Sequence, residues 1–545
     1  MTYPKKTLPQ LLEHTTAKSA GHTALIYFGA RISYGQVQEH VDRLAAGLQA
    51  IGVKKGDRVA LLMPNCPQFV ISYFGAMRAG AIITATSSMY TAREITHQWN
   101  DAGATIVIAD RRLYPVIKAA LPQLTSVRQI ILTGSRQYYP RPFQQFCALL
   151  KSSRSLKGST CLKLDSKGAS QSKSPTLHEW EDLLSVSSKP QPSGLKPSDI
   201  ACLQYTGGTT GTSKGAMLTH ANLVTNAYQA SSLLTMNGKG DEVMVAALPM
   251  FHIFAMTCVM ISSIEIGGCV VILPRFELRA ALNAIRKYRP TMFHGVPTMY
   301  VAFNSVPGVE RYGFNSLRMC MSGGAALPVE VRQKFEALTG GKLVEGYGLT
   351  ETSPVTHVNP PEGSPKVASI GLPIPDTESR IMDLETGKRE MPVGEVGEIT
   401  IRGPQVMRGY WNKPEETALV LRDGWLYTGD IAKKDADGYF YIVDRKKDMI
   451  IAGGFNIYPR EVEEVLFECP KIKEAAVIGV PDAYRGETVK AFVVLKDGVT
   501  ATAEEVIAFC RERMASYKVP RQVVFRDSIP KSGVGKYLRR ELRNL

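Results

Sequence analysis

The chain reads as an α/β protein with a large N-terminal lobe and a small C-terminal α+β lobe. Three observations predict this. Short β-like runs alternate with helical patterns through the first half, the texture of βαβ units on a mostly parallel sheet. A separate compact α+β pattern occupies residues 450–545. With 545 residues, 44% hydrophobic and 21% charged, the chain has ample core material, which excludes collagen-like, largely disordered and disulfide-scaffold classes.

The elements follow in order. Arg58 to Met63 is a strand stopped by Pro64-Asn65, and Phe69 to Met77 is a helix. Thr105 to Ala109 and Gln129 to Leu132 are strands closed by turn residues. From about 149 to 193 the chain turns rich in Ser, Lys and Pro and poor in large apolar residues. Between Lys151 and Pro175 six basic residues face a single acid, Asp165. This predicts a mobile basic surface insertion. Leu218 to Ala230 reads as helix. The oily stretch Phe254 to Pro274 is broken by Glu265 and Gly267-Gly268, so it reads as buried helix plus strand rather than a membrane span. In the small lobe, Pro459 to Leu466 is a helix with Pro in its first turn and acids near its start. Strands Ala475 to Ile478 and Ala491 to Leu495 and a helix from Ala503 to Met514 complete it. Boundaries are expected at 1–443, 444–449 and 450–545.

Lys+Arg 65 against Asp+Glu 50 leaves +15, which suits an anionic partner: a nucleotide, a polyphosphate, nucleic acid or an acidic membrane surface. No RNA- or DNA-binding module is evident, and aromatics do not interleave with the basic run, so nucleic acid is set aside. Nine scattered cysteines show no C-x-x-C pair and no zinc spacing, and read as free buried thiols of a reducing compartment. Met1-Thr2-Tyr3-Pro4-Lys5-Lys6 leads into no apolar run, so no secretory signal is expected. A cytoplasmic protein is expected, with peripheral contact at the inner face of a membrane compatible with its charge.

The segment Leu203 to Gly215 carries the most chemistry. Thr206-Gly207-Gly208-Thr209-Thr210-Gly211-Thr212-Ser213-Lys214 combines glycines that let backbone N–H groups approach an oxyanion, hydroxyl donors and a cation. This is a phosphate-cradling composition. It is not the Walker spacing, because Lys214 precedes Gly215 rather than following a glycine.

The same segment resembles the phosphate-loop signature of the adenylate-forming superfamily: acyl-CoA synthetases, peptide-synthetase adenylation domains and beetle luciferases. Further blocks match in the family's order. They are Ser322 to Pro328, Glu345-Gly346-Tyr347-Gly348-Leu349-Thr350-Glu351-Thr352, Tyr427 to Asp430, Asp444-Arg445-Lys446-Lys447-Asp448, Gly453 to Pro459 and Pro530 to Lys536. The resemblance covers essentially the whole chain and fits 149–193 least. The stretch from Asp423 to Asp430 and on through Ile450 is similar to bacterial medium- and long-chain fatty acyl-CoA synthetases.

The resemblance implies roles. The loop Thr206 to Lys214 closes over the β- and γ-phosphates of ATP. Gly323-Gly324-Ala325 and Glu345-Gly346-Tyr347-Gly348 form the adenine slot, where the Tyr347 ring can stack on the base. Thr350 touches phosphate. Glu351 holds Mg²⁺ with the Thr206 hydroxyl, a use that fits an ion keeping most sites for phosphate and water. Asp430 accepts from both ribose hydroxyls, and Arg445 meets the ribose and α-phosphate. Lys536 bridges the substrate carboxylate and the α-phosphate. Pro249 to Phe254 lines the acyl tunnel, with His252 gating or packing there rather than acting as a base. Gly453, Gly454 and Phe455 line the pantetheine channel for CoA, and the small lobe turns about a hinge near Asp444.

The implied reaction has two steps. A fatty acid carboxylate attacks the α-phosphate of Mg·ATP, giving acyl-adenylate and pyrophosphate; the CoA thiol then takes the acyl group and releases AMP. An aryl-CoA ligase of the 4-coumarate type and a stand-alone adenylation or fatty acyl-AMP ligase are the alternatives. The absence of a carrier domain after residue 545 weighs against a peptide-synthetase unit. Family members are often dimers, although no patch in this sequence shows that of itself.

Overall fold

The computed structural model describes residues 1–140, 174–186, 189–206, 213–234, 241–362, 365–452, 455–482, 485–514, 516–531 and 537–545. Two large sheets carry the N-terminal lobe. A seven-stranded sheet has the order Thr176–Glu179, Gln129–Thr133, Ile106–Asp110, Arg58–Leu62, Ile82–Thr86, Ile200–Tyr205 and Gly215–Thr219, parallel except at its last pair. Its central strands are buried on both faces, which is why they read as continuous apolar runs. A nine-stranded sheet runs from Leu372–Pro373 and Val355–Val358 through Lys342–Gly348, Met319–Ser322, Met292–Gly295, Val243–Ala246 and Cys269–Ile272 to Thr23–Tyr27 and Ala30–Ser33. One core, including the helices Tyr34–Ala50 and Pro67–Arg78, joins the two sheets.

A five-stranded antiparallel sheet follows, with Val396–Arg402, Trp425–Lys434 and Phe440–Arg445 at its centre. The remaining lobe wraps the helices Pro459–Glu468 and Ala503–Arg511 on a second five-stranded sheet dominated by the hairpin Ile472–Asp482 and Gly486–Leu495. Its main core draws only on residues from Ile450 onward. A large α/β lobe and a small α+β lobe are therefore present, as expected.

Local signals set the element ends. Thr7/Gln10, Ser33/Gln36, Thr91/Glu94 and Thr502/Glu505 form reciprocal capping boxes at four helix starts. The helix expected from Leu218 begins instead at His220 and runs to Leu234. Thr219 ends the preceding strand and caps the helix: its Oγ1 accepts from Asn222 N at 3.1 Å, and its own N–H donates to Asn222 Oδ1 at 2.9 Å.

The expected insertion 149–193 needs correction at its C-terminal end. Thr176–Glu179 is an edge strand parallel to Gln129–Thr133, and Trp180–Leu184 is a helical turn with Trp180 fully buried. That turn packs so closely on the helix Tyr34–Ala50 that a Cβ at Gly47 would lie 2.5 Å from Leu183 O. The basic run 151–173 lies outside the described residues.

Phe254 to Pro274 folds as expected, with one refinement. The helical part Ile253–Ile266 contains a π-helical stretch, Met256–Ile261, and the strand is Cys269–Ile272. Among the described residues no helix is long and apolar enough to cross a membrane. The seven described cysteines are free and largely buried, and burial pushes the Cys66 and Cys202 thiols up to about 12. Cys147 and Cys161 lie outside the described residues.

Candidate active site

The antiparallel pair Ile200–Tyr205 and Gly215–Thr219 presents both ends of the glycine-rich connection. Tyr205 faces Gly215, and Thr206 N donates to Lys214 O at 3.0 Å, closing its base. Gly207, Gly208, Thr209, Thr210, Gly211 and Thr212 lie outside the described residues. The Lys214 ammonium pairs with Glu416 of the helix Pro414–Val420 and sits 5.0 Å from the centre of the Tyr410 ring.

Tyr410 connects this loop to the second motif. Thr350 and Glu351 occupy a 3₁₀ turn after the strand Lys342–Gly348. The Tyr410 hydroxyl donates to Glu351 Oε1 at 2.7 Å, and Glu351 O accepts from Met407 N at 2.8 Å. Glu351 Oε2 has no hydrogen-bond partner among the described residues. The donor set fits Mg²⁺, which uses one or two protein oxygens and leaves the rest to phosphate and water. No group of three or more His, Cys, Asp or Glu side chains gathers among the described residues, so no all-protein metal cage stands there.

The residues expected from sequence to form the adenine slot lie at the ends of neighbouring strands. Ser322 and Glu345 are register partners, and a Cβ at Gly323 would lie 3.5 Å from Gly346 O, so the two motifs meet at this strand edge. A Cβ at Gly323 would lie 3.1 Å from the Phe254 ring, and one at Gly348 would lie 1.9 Å from Pro354 O, so backbone packing alone accounts for glycine at Gly348. Burial raises the Glu345 carboxyl to about 7, while Arg460 and Arg332 pull the other way. Arg460 belongs to the small lobe, so the two lobes meet electrostatically at this slot.

Tyr347 links the slot to the third motif. Its hydroxyl donates to Asp430 Oδ2 at 2.6 Å, and its ring lies against His357, with centroids 5.8 Å apart. Asp430 and Arg445 are register partners on the strands Trp425–Lys434 and Phe440–Arg445, and Arg445 Nε lies 3.5 Å from Asp430 Oδ1. Asp430 is largely buried, and Tyr347 and Arg445 fix its carboxylate.

Asp444 falls inside the strand, opposite Ile431, and is buried. One of its oxygens accepts from Arg445 N and the other from Arg460 N, each at 2.7 Å, and burial raises its carboxyl. The turn between the lobes therefore begins after Arg445, and the next strand starts at Ile450.

His252 is partly buried and caps a helix, its Nδ1 accepting from Phe254 N at 3.3 Å. Gln204 Nε2 donates to Phe251 O at 2.8 Å, which ties this segment to the strand that enters the glycine-rich loop. His252 thus caps the helix that follows it. Phe254 also stacks near His294, whose burial lowers its pKa to about 4.

Lys536, Gly453 and Gly454 lie outside the described residues, and Phe455 opens the strand Phe455–Ile457. The residues on either side of 532–536 are well anchored. Lys531 and Tyr537 form an antiparallel bridge, Leu538 N donates to Pro530 O at 2.9 Å, and Lys531 Nζ pairs with Glu474 at 2.7 Å. Arg539 binds both oxygens of Glu463 at 2.7 Å and approaches Asp448 at 3.5 Å.

Sequence reasoning missed Tyr410, Glu416 and Arg460. No spacing signal exists for them, because only the folded chain, through the Met407–Glu351 backbone bond and the bridge between Ala216 and Tyr410, brings Tyr410 to Glu351.

Known relatives match the chain along its length. Residues 12–411 match the AMP-binding enzyme family model, and residues 461–536 match that of the AMP-binding enzyme C-terminal domain. The chain is 46% identical over 540 residues to the long-chain-fatty-acid–CoA ligase of Bacillus subtilis (strain 168), covering 99% of this chain and 94% of that one. The crystal structure of ATP-bound MatB from Rhodopseudomonas palustris superposes with a TM-score of 0.83 at 30% identity, covering 99% of both chains. A Mycobacterium tuberculosis fatty acyl CoA synthetase superposes with a TM-score of 0.74 at 28% identity, covering 99% and 98%. The chain belongs to the AMP-binding enzyme family.

Proposed function

We propose that this chain is an AMP-forming fatty acid–CoA ligase that takes long-chain acids. The observation that carries the reading is the single constellation formed by Lys214, Glu351, Tyr347, Asp430 and Arg445, joined through Tyr410 and the paired strands, in a chain similar over its whole length to a long-chain-fatty-acid–CoA ligase.

In this reading Asp430 holds the ribose hydroxyls, and Tyr347 holds Asp430 and lies against the base. Gly323, Gly324, Ala325, Glu345, Gly346 and Gly348 shape the adenine slot. Thr206 to Lys214, with Thr350, engages the β- and γ-phosphates, and Glu351 with Thr206 would hold Mg²⁺. When bound, that ion neutralises phosphate charge. Arg445 and Lys536 bring positive charge to the α-phosphate and the approaching carboxylate, offsetting the repulsion between two anions in a site shielded from water. No general base is needed, because the acid is already ionised, and His252 acts by packing at the acyl side. Turning of the small lobe about residues 444–449, with the buried Asp444 as the fixed end, then exchanges Lys536 for Gly453, Gly454 and Phe455 and opens a path for the CoA thiol.

An acid panel tests this: hexadecanoate, octanoate and 4-coumarate, each with ATP and Mg²⁺, with AMP release measured with and without CoA. Turnover of hexadecanoate that requires CoA is expected. Preference for coumarate would replace the fatty acid with an aryl acid, and AMP release indifferent to CoA would remove the thioester step.

A further inference from the structure

We infer that Tyr410 is a positioning residue of the nucleotide site, and that Glu416 is the counter-ion that parks Lys214 away from the phosphates. The inference rests on the proposed roles of Glu351 and Lys214.

The backbone around Tyr410 is held on every side. Tyr410 bridges Ala216, Trp411 N donates to Gly215 O at 2.8 Å, and Met217 N donates to Gly409 O at 2.9 Å. Tyr410 N donates to Thr417 Oγ1 at 2.9 Å. Gly409 has φ +137°, and a Cβ there would lie 2.6 Å from Thr417 Cγ2, so the chain presses directly on the helix that carries Glu416. The tyrosine is 8% exposed. A ring fixed this firmly can serve two neighbours at once. Its hydroxyl donates to one Glu351 oxygen and so points the other at a ligand. Its face holds the Lys214 ammonium at 5.0 Å, within cation–π range.

Lys214 also pairs with Glu416. An ammonium cannot serve this carboxylate and a polyphosphate equally, so arrival of ATP exchanges one anion for another. Glu416 thereby weakens nucleotide binding and keeps the loop base ordered without it.

Two substitutions at Tyr410 separate its jobs, and a third tests Glu416. Acid-dependent pyrophosphate release is measured against Mg²⁺ at fixed ATP and against ATP at saturating Mg²⁺, alongside thermal unfolding. Tyr410→Phe keeps the ring and removes the hydroxyl. It is expected to raise half-saturating Mg²⁺ by roughly tenfold, the worth of one hydrogen bond to a charged group, and to leave the KM for ATP within about twofold. Tyr410→Ala is expected to raise both. Glu416→Gln is expected to lower the KM for ATP by up to about fivefold, the worth of a partly exposed ion pair, and to flatten its salt dependence.

A purely structural tyrosine would lower the unfolding temperature or kcat and move neither half-saturation. Phe and Ala variants that behave alike, or an unmoved Mg²⁺ dependence in Tyr410→Phe, would overturn the positioning role. An unchanged or higher KM for ATP in Glu416→Gln would overturn the parking role. Glu351→Gln serves as the reference: an unshifted Mg²⁺ dependence there would show that the underlying metal reading had failed, and the inference with it.

Discussion

Replacing Arg539 with Met should loosen the small lobe while the large lobe stays intact. Arg539 binds both oxygens of Glu463 at 2.7 Å and reaches Asp448 at 3.5 Å; Glu463 is 7% exposed and Asp448 5%. Removing one member of a buried pair leaves a desolvated charge and costs about 3–5 kcal/mol. Two contacts soften the loss: Glu463 still accepts from Val477 N at 2.8 Å, and Asp448 keeps Arg543 at 3.1 Å. The low end, about 3 kcal/mol, is therefore expected, equivalent to roughly 100-fold faster opening-limited amide exchange. The four tryptophans, at 99, 180, 411 and 425, all lie outside this lobe, so fluorescence would miss the effect. Hydrogen exchange across Ile472–Asp482 and Pro459–Glu468 would report it, with the seven-stranded sheet as internal control.

The deficit carries a pH signature. Burial already raises the Glu463 carboxyl, and losing the guanidinium raises it further. A carboxyl raised in the folded state favours folding below its unfolded pKa, and that contribution is lost as pH climbs through the folded value. The variant should thus fall further behind the parent at pH 8 than at pH 5. The double variant with Glu463→Met should recover most of the loss, since apolar replacement of a whole buried pair is close to neutral. Unchanged exchange in Arg539→Met would refute the reasoning.

Three further outcomes are expected. Lys536→Ala should lower acid-dependent pyrophosphate release on the order of 10²–10³-fold and spare thioester formation from supplied acyl-adenylate, as equal loss of both steps would contradict the two-state lobe. Burial lowers the pKa of His220 and His294 to about 4 and of His357 to about 3, so each favours folding above pH 6.5 and that contribution fades as pH falls. At pH 5 each should cost roughly 2 kcal/mol, and His294→Leu should blunt the fall in melting temperature between pH 7 and 5. Gly348→Ala, whose new methyl meets the carbonyl of Pro354 at 1.9 Å, should destabilise by about 2 kcal/mol or more, whereas Gly346→Ala meets the pliable Met321 Sδ at 2.7 Å and should cost about 1 kcal/mol or less, read by thermal unfolding.

Much of the fold was legible because its determinants are local. Buried parallel strands such as Arg58–Leu62 announce themselves as unbroken apolar runs, and the helix Pro459–Glu468 by its first-turn proline and acids. The strand Thr176–Glu179 and Trp180 were missed because an edge strand buries little, and one tryptophan is diluted by a Ser- and Lys-rich neighbourhood. At the site, glycine-dense motifs were visible from composition, and at Gly348 the Pro354 carbonyl itself restricts the position to glycine. Pairings such as Tyr410 with Glu351 and Arg460 with Asp444 were not, because 59 residues separate the first pair, 16 the second, and only tertiary packing brings them together.

The register that sets Asp430 opposite Arg445 has a mechanical side. Arg445 is the last residue of its strand, followed at once by Lys446, whose N–H donates to Gly429 O at 2.9 Å, and its ladder partner is the carboxylate expected to grip the sugar. A nucleotide seated there, as proposed, would load a rung that adjoins the proposed hinge, with no stretch of interior between the two.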